Sequence, residues 1–316
     1  MSEVSTADLT IISVVFRDTF FMQQNLELTS RLNPGFAGKW LVVDNSPPLA
    51  VHPPPGLDAR MIEGARPPQK TGDRGSLHHA LGLEKALAMT GTRFVLLLDH
   101  DLYVVRRNWI AELLEHVVRE GIGIFGATWH PRWFYQYAGF PSVHFMLIDL
   151  AKVPKATLDL KPTSDSDWWG LTLRKKKAPW GGRWPDWLRD TLRAHRLRDT
   201  GWQVYRRYRR QASVKIGMLT PHYVPPDTRR RRAERTFLFF LPDTWRHYPR
   251  RADSYTQDSL LKTMLPEAYD DGWEDFFWRG EPFAVHLRRV GRRMRKANHS
   301  ADEDLLKSFL ARISAD

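Results

Sequence analysis

The first 150 residues alternate short β-rich apolar runs with helical segments, and this alternation constrains the fold more than any other feature. The runs are Thr10-Ile11-Ile12-Ser13-Val14-Val15-Phe16, Lys39-Trp40-Leu41-Val42-Val43, Arg93-Phe94-Val95-Leu96-Leu97-Leu98, Ile122-Gly123-Ile124-Phe125-Gly126-Ala127 and Val143-His144-Phe145-Met146-Leu147-Ile148. Continuous apolar runs of this length mark strands covered on both faces. Between them, residues 20–32, 76–90 and 108–120 carry helical spacing, with Leu77, Leu81, Leu83 and Leu87 apolar in the second and Asn108 placed as the N-cap of the third. Residues 50–75, rich in Pro and Gly, predict a loop with a short strand near Met61-Ile62. Strands alternating with helices predict an α/β sandwich around a mostly parallel sheet.

The second half is less regular. Residues 161–187 predict a long loop or lid, 199–211 a helix capped by Asp199 or Thr200, 225–235 a solvated Pro and Arg stretch, and 255–265 and 302–313 short helices. A hydrophobic content of 42% with 13 Trp and 16 Phe suffices for a core and excludes disorder throughout. Absence of cysteine excludes disulfides, thiolate metal sites and cysteine nucleophiles. No run of about 18 apolar residues suggests a membrane span, and MSEVSTADLT has no signal-peptide pattern. The expected location is cytoplasmic, with room for a peripheral association at a membrane.

Charge is divided unevenly. Residues 1–150 hold 13 Lys and Arg against 15 Asp and Glu, a net of −2, whereas residues 151–316 hold 35 against 21, a net of +14. An anionic partner explains that excess, and so does an Arg-rich genome, because 35 of the 48 basic residues are Arg.

Asp99-His100-Asp101 follows directly on the apolar run ending at Leu98. In open α/β sheets, ligands bind beyond the carboxyl ends of strands. Two carboxylates two residues apart in extended chain repel unless a cation or solvent separates them. Oxygen donors favour Mg²⁺ or Mn²⁺, and such an ion completes its shell with substrate phosphates. The plainer reading is a loop turn with capping aspartates.

An earlier strand also ends in an acid and an amide, Val43-Asp44-Asn45-Ser46. With this the chain resembles the GT-A glycosyltransferases, in particular the family 2-like enzymes. The resemblance covers about residues 8–215 and 280–293. It implies a GT-A type nucleotide-sugar-binding sandwich with a mostly parallel central sheet and a C-terminal acceptor-side extension. Residues 1–225 would form the nucleotide-sugar and metal-binding core. Residues 226–316 would be a basic extension of the same domain that returns a metal-site histidine. By resemblance, Asp44 and Asn45 would meet the base, and Asp99 and Asp101 would hold the metal and the donor diphosphate. His286, in Phe283-Ala284-Val285-His286-Leu287, would complete the metal site. His78 and His79 occupy a helix position where the family carries Arg-Asn, and helical spacing turns one of them from the other. Asp199, in Arg198-Asp199-Thr200-Gly201-Trp202, stands where the family places a general base. The usual Glu-Asp is Arg-Asp here, and an ordinary N-cap explains the same aspartate.

Lesser candidates are Asp165 and Asp167 as a rival metal or base site, and Glu274 or Asp275 as a base with a carboxyl raised by aromatic surroundings. Trp129, Trp133, Phe134, Tyr135 and Tyr137 could stack on a sugar or base, and Arg229-Arg230-Arg231-Arg232 could bind phosphate. No P-loop, dinucleotide fingerprint or nucleophile elbow occurs. The expected protein is a glycosyltransferase using Mn²⁺ or Mg²⁺ and a nucleoside-diphosphate sugar, with a UDP-sugar expected and inversion at the anomeric carbon. Its acceptor is anionic: a membrane-associated lipid-linked glycan, or a hydroxylated base in DNA as in phage DNA modification. Rival readings are a nucleotidyltransferase acting on sugar phosphates and a non-catalytic nucleic-acid-binding protein.

Overall fold

A computed structural model describes residues 4–16, 18–46, 51–64, 75–131, 139–162, 199–224, 255–287 and 299–315. The central strand β1 (Leu9–Val15) is buried at all seven positions. It pairs in parallel with β2 (Lys39–Asp44) on one side and β4 (Phe94–Leu98) on the other. β2 in turn pairs in parallel with β3 (Asp58–Glu63). Beyond β4 come β7 (Phe145–Asp149), β6 (Ile122–Gly126) and β8 (Lys215–Met218), in the order β3-β2-β1-β4-β7-β6-β8. Only β7 runs against its neighbours, so the sheet is mostly parallel, as the alternation predicts.

Both faces of this sheet are covered, which is why its central strands read as unbroken apolar runs. Alternate residues of β1 go to opposite faces. Ile12 and Val14 join Ala80, Leu83 and Leu87 of α2 (Gly75–Met89). Ile11 and Val15 join Met22 and Leu26 of α1 (Thr19–Leu32) and Trp109 and Leu113 of α3 (Trp109–Arg119). At Gly82 a Cβ would come within 3.1 Å of the Val14 methyls, so the missing side chain lets α2 lie close to β1.

A second sheet is wholly antiparallel. It is formed by β5 (Leu102–Val104), β9 (Thr220–Pro221), β10 (Glu274–Trp278) and β11 (Glu281–His286), in the order β5-β11-β10-β9. Its register sets Ala284 opposite Val104, Val285 opposite Tyr103 and His286 opposite Leu102. Phe276 and Phe283 carry it onto the same core as Val15 and Trp109. The C-terminal helix α7 (His299–Ala315) packs Leu306 and Phe309 with Trp273 and with Phe21 of α1.

Several local expectations need correction. The segment at 199–211 is helical only as α4 (Trp202–Tyr208), and neither Asp199 nor Thr200 is its cap. Gly201 takes that place in the left-handed region at φ 82°, which a residue with a Cβ adopts only under strain. Asn108 is the N-cap of α3 as expected, although at φ 52° its side chain makes no capping hydrogen bond. Residues 255–265 do not form one helix. Pro266 keeps Leu265 out of helical backbone, so α5 (Leu260–Met264) stops and α6 (Pro266–Asp270) starts with proline at its first position. The aromatic stretch at Glu274–Trp278, expected as the surroundings of a base carboxyl, is strand β10. Nearly all of the expected lid, together with Asp165, Asp167, Trp133, Phe134, Tyr135, Tyr137 and Arg229–Arg232, lies outside the described residues.

Candidate functional site

β4 ends at Leu98 and β5 begins at Leu102, so the chain turns within Asp99-His100-Asp101 at the carboxyl edge of the parallel sheet. The turn is held from four directions. Leu102 N–H donates to Asp99 O at 3.1 Å, Asp99 N–H donates to His144 O at 3.0 Å, and Leu287 N–H donates to Asp101 O at 2.9 Å. The fourth hold is the buried Asn25 of α1, whose amide donates to Leu102 O at 2.8 Å and His100 O at 3.2 Å. His100, which lines the same cleft, has Nε2 3.3 Å from Asp18 Oδ2.

The β5–β11 pairing delivers His286 to this turn. Its Nε2 lies 3.5 Å from Asp101 Oδ1, and its Nδ1–H donates to Glu274 Oε2 at 2.8 Å. One ligand atom each from Asp99, Asp101 and His286 lies within 4.8 Å of the other two. Around a six-coordinate ion with bonds of about 2.1 Å, neighbouring donors stand about 3 Å apart and opposite donors about 4.2 Å, so the three atoms fit one ion after small rotations. Two carboxylates and one imidazole suit Mn²⁺ or Mg²⁺. Burial opposes charge on His286, but the hydrogen bonds with Asp101 and Glu274 prevail and push its imidazole up to about 10. The imidazolium is a protein-borne cation between carboxylates, and an ion using Nε2 would displace that proton.

The cluster opens on a cleft of about 630 Å³. His79 of α2 lies on its wall, with Nε2 3.3 Å from Asp99 Oδ1. Burial works against the His79 imidazolium, yet Asp99, with a smaller contribution from Asp199, raises its pKa. Burial also disfavours the Asp99 carboxylate, but His79 prevails and holds it below the usual carboxylate range. His78 lines the cleft too.

Asn45 reaches the cleft, and its amide donates to His78 O at 2.9 Å, tying the end of β2 to α2. Asp44 is directed to its own loop: Oδ1 accepts from Ser46 N–H at 2.8 Å and from the Ser46 hydroxyl at 2.7 Å. Asp199, just ahead of α4, also lines the cleft. Its Oδ1 accepts from Thr200 N–H at 2.8 Å, and the Thr200 hydroxyl donates to Ser76 O at 2.9 Å, which anchors this turn to the start of α2. The structure therefore gathers Asn45, His78, His79, Asp99, Asp101, Asp199 and His286 around one opening, and leaves Asp44 just behind it.

Glu274 and Asp275 do not face the cleft as rival bases. Glu274 is engaged by His286. Asp275 is buried on the other face of β10, where Oδ2 accepts from the Ser259 hydroxyl at 2.9 Å and Leu261 N–H at 3.2 Å. Trp129 does line the cleft. Further residues belong to the site without being among the sequence candidates, Asn25 and Phe16 among them. Asn25 gives no local signal, because its role depends on a turn far along the chain. Phe16, 56% exposed at the mouth of the cleft, could have been found as a large aromatic at the end of the first strand.

No family model and no curated protein matches the chain. Among solved structures, it is similar to the mannosyltransferase PcManGT from Pyrobaculum calidifontis in complex with GDP-Man and Mn²⁺, at 14% identity over 65% of this chain and 70% of that one, with a TM-score of 0.36. It is also similar to S. aureus TarS 1-349 in complex with UDP-GlcNAc, at 10% identity over 48% of each chain and a TM-score of 0.34. A third is the galactosyltransferase LgtC with donor and acceptor sugar analogs, at 15% identity over 46% of this chain and 59% of that one, TM-score 0.34. Of these three, PcManGT and LgtC are by name glycosyltransferases.

Proposed function

We propose that the chain is a metal-dependent glycosyltransferase acting on a nucleoside-diphosphate sugar. The observation that carries this reading is the convergence of Asp99, Asp101 and His286 at the carboxyl edge of a mostly parallel sheet, on a cleft shared with His79, Asn45 and Asp199. Mn²⁺ or Mg²⁺ held by the three residues would supply positive charge to the departing diphosphate. The protein's own residues do the remainder. His79, with Nε2 3.3 Å from Asp99 Oδ1, faces the same end of the cleft and offers a ring N–H to the phosphates. Asn45 and the exposed ring of Phe16 bound the cleft where a nucleobase can stack, with Asp44 shaping the loop behind them.

Asp199 takes the acceptor proton. The acceptor oxygen forms a bond to the anomeric carbon, the bond from that carbon to the diphosphate oxygen breaks, and the hydroxyl proton passes to the Asp199 carboxylate. A single displacement of this kind inverts the anomeric configuration. The +14 excess of residues 151–316 supports an anionic acceptor, whether a lipid-linked glycan or a hydroxylated base in DNA.

The test is release of nucleoside diphosphate from a panel of UDP-, GDP- and dTDP-sugars with Mn²⁺ or Mg²⁺. Release from at least one donor, stopped by EDTA and restored by added Mn²⁺, is the expected result. No release from any donor with either ion would sink the reading. Pyrophosphate release from a nucleoside triphosphate and a sugar phosphate would replace it with nucleotidyl transfer.

A further inference from the structure

We propose that Glu274 is a positioning residue for the metal site: it fixes the His286 ring so that Nε2, and not Nδ1, is the ligating nitrogen. This rests on the metal reading above. Glu274 is 1% exposed, in a strand buried at all five positions. A carboxylate there loses its hydration and is retained only with a partner that satisfies it. The register of β10 and β11 sets Glu274 directly opposite His286. Its Oε2 accepts the Nδ1 proton at 2.8 Å. With that proton held, the neutral imidazole keeps its lone pair on Nε2, the atom aimed at Asp101. The ring of His144, stacked at 5.0 Å and 9° to that of His286, fixes the ring plane from the side.

The neighbouring acid provides an internal contrast. Asp275 belongs to the other face of β10 and serves the start of α5, so of the two acids only Glu274 is disposed to act on the cluster. A carboxylate behind an imidazole also makes it a better donor, and loss of such a partner typically weakens metal binding about 10- to 100-fold.

The experiment is Mn²⁺ titration of the full chain followed by electron paramagnetic resonance, with electron spin-echo modulation reporting a coordinated imidazole nitrogen. The proteins are the native chain, His286→Ala, Glu274→Gln and Glu274→Leu. The native chain should bind Mn²⁺ with nitrogen modulation, and His286→Ala should lose that modulation. Glu274→Gln, which still accepts from Nδ1–H but carries no charge, should bind about tenfold more weakly, and Glu274→Leu more weakly still with the modulation reduced. Native affinity and native modulation in both Glu274 variants would overturn the proposal, as would a lowered melting temperature with both readouts unchanged. If Glu274→Leu does not fold, the affinity of Glu274→Gln decides. A native chain that binds no Mn²⁺, or binds it without nitrogen modulation, would instead overturn the metal reading itself.

Discussion

Asp99 and Asp101 repel each other across one intervening residue, and the surroundings answer with His79 on one carboxylate and His286 on the other. Removing either acid therefore does more than delete a ligand; it takes one carboxylate partner from a histidine. Asp101→Asn should abolish turnover and Mn²⁺ binding together while the circular-dichroism spectrum stays native, since this side chain is 20% exposed and sits outside the core. Full activity of the variant in a chelator would end the metal role. Asp199 is a different case, because its Oδ1 also organises the Thr200 turn. Asn keeps an acceptor for that backbone N–H but takes no proton, so Asp199→Asn should lower kcat about 10²-fold or more with little change in thermal stability. An unchanged kcat would reduce Asp199 to a turn residue. Chemistry of this kind was visible in the sequence because residue type limits what a side chain can do, and two acids beyond a buried strand have few roles. Glu274 and Asn25 were not visible in these roles, because each acts on a partner brought to it by pairing or docking of another element.

The strand β10 carries acids to both of its faces, and the helix α5 depends on one of them. Asp275 accepts from Ser259, the N-cap of α5, and from Leu261 N–H. Asp275→Ala leaves both donors without this acceptor in a buried place, which should cost about 1–3 kcal/mol in urea unfolding. The pH dependence has a definite sign. Burial raises the Asp275 carboxyl above its ordinary 3.8, against the opposing pull of His222 and Ser259. The folded chain thus holds its proton at a pH where the unfolded chain has released it. Stability from this group is greatest in acid and falls as pH rises above about 4. Asp275→Asn should flatten that part of the melting-temperature profile, and parallel native and variant profiles would show that the group does not titrate in this way. Element positions were largely legible: the five long apolar runs are all strands, because burial on both faces leaves a mark that period and composition report. The short strands β5, β9 and β10 were not. Two or three residues contain no period, and the carboxylates of β10 conceal a buried strand until His286 and Ser259 are seen beside them.

For the molecule as a whole, most residues proposed for the donor lie in the −2 half, and the cationic excess lies in the +14 half. The described residues contain no helix long and apolar enough to cross a membrane. The acceptor KM should rise steeply with salt as counterions compete for Lys and Arg, while the donor KM, governed by the metal and His79, rises only slightly. Equal slopes would assign the excess to Arg-rich coding alone. Competition by duplex DNA or by anionic liposomes then separates the two acceptor classes. The layered α/β plan, its sheet of strands buried on both faces and the acids at their carboxyl ends could be read from the chain. These depend on local hydrophobicity, on residue chemistry and on the adjacency of residues in the chain. The pairing of β11 with β5, the register that sets His286 beside Asp101 and the place of Glu274 behind His286 are visible only in the folded chain. The pairing of β11 with β5 joins segments from opposite halves of the chain, and its energy comes from burying a second sheet on the first, which no local pattern encodes.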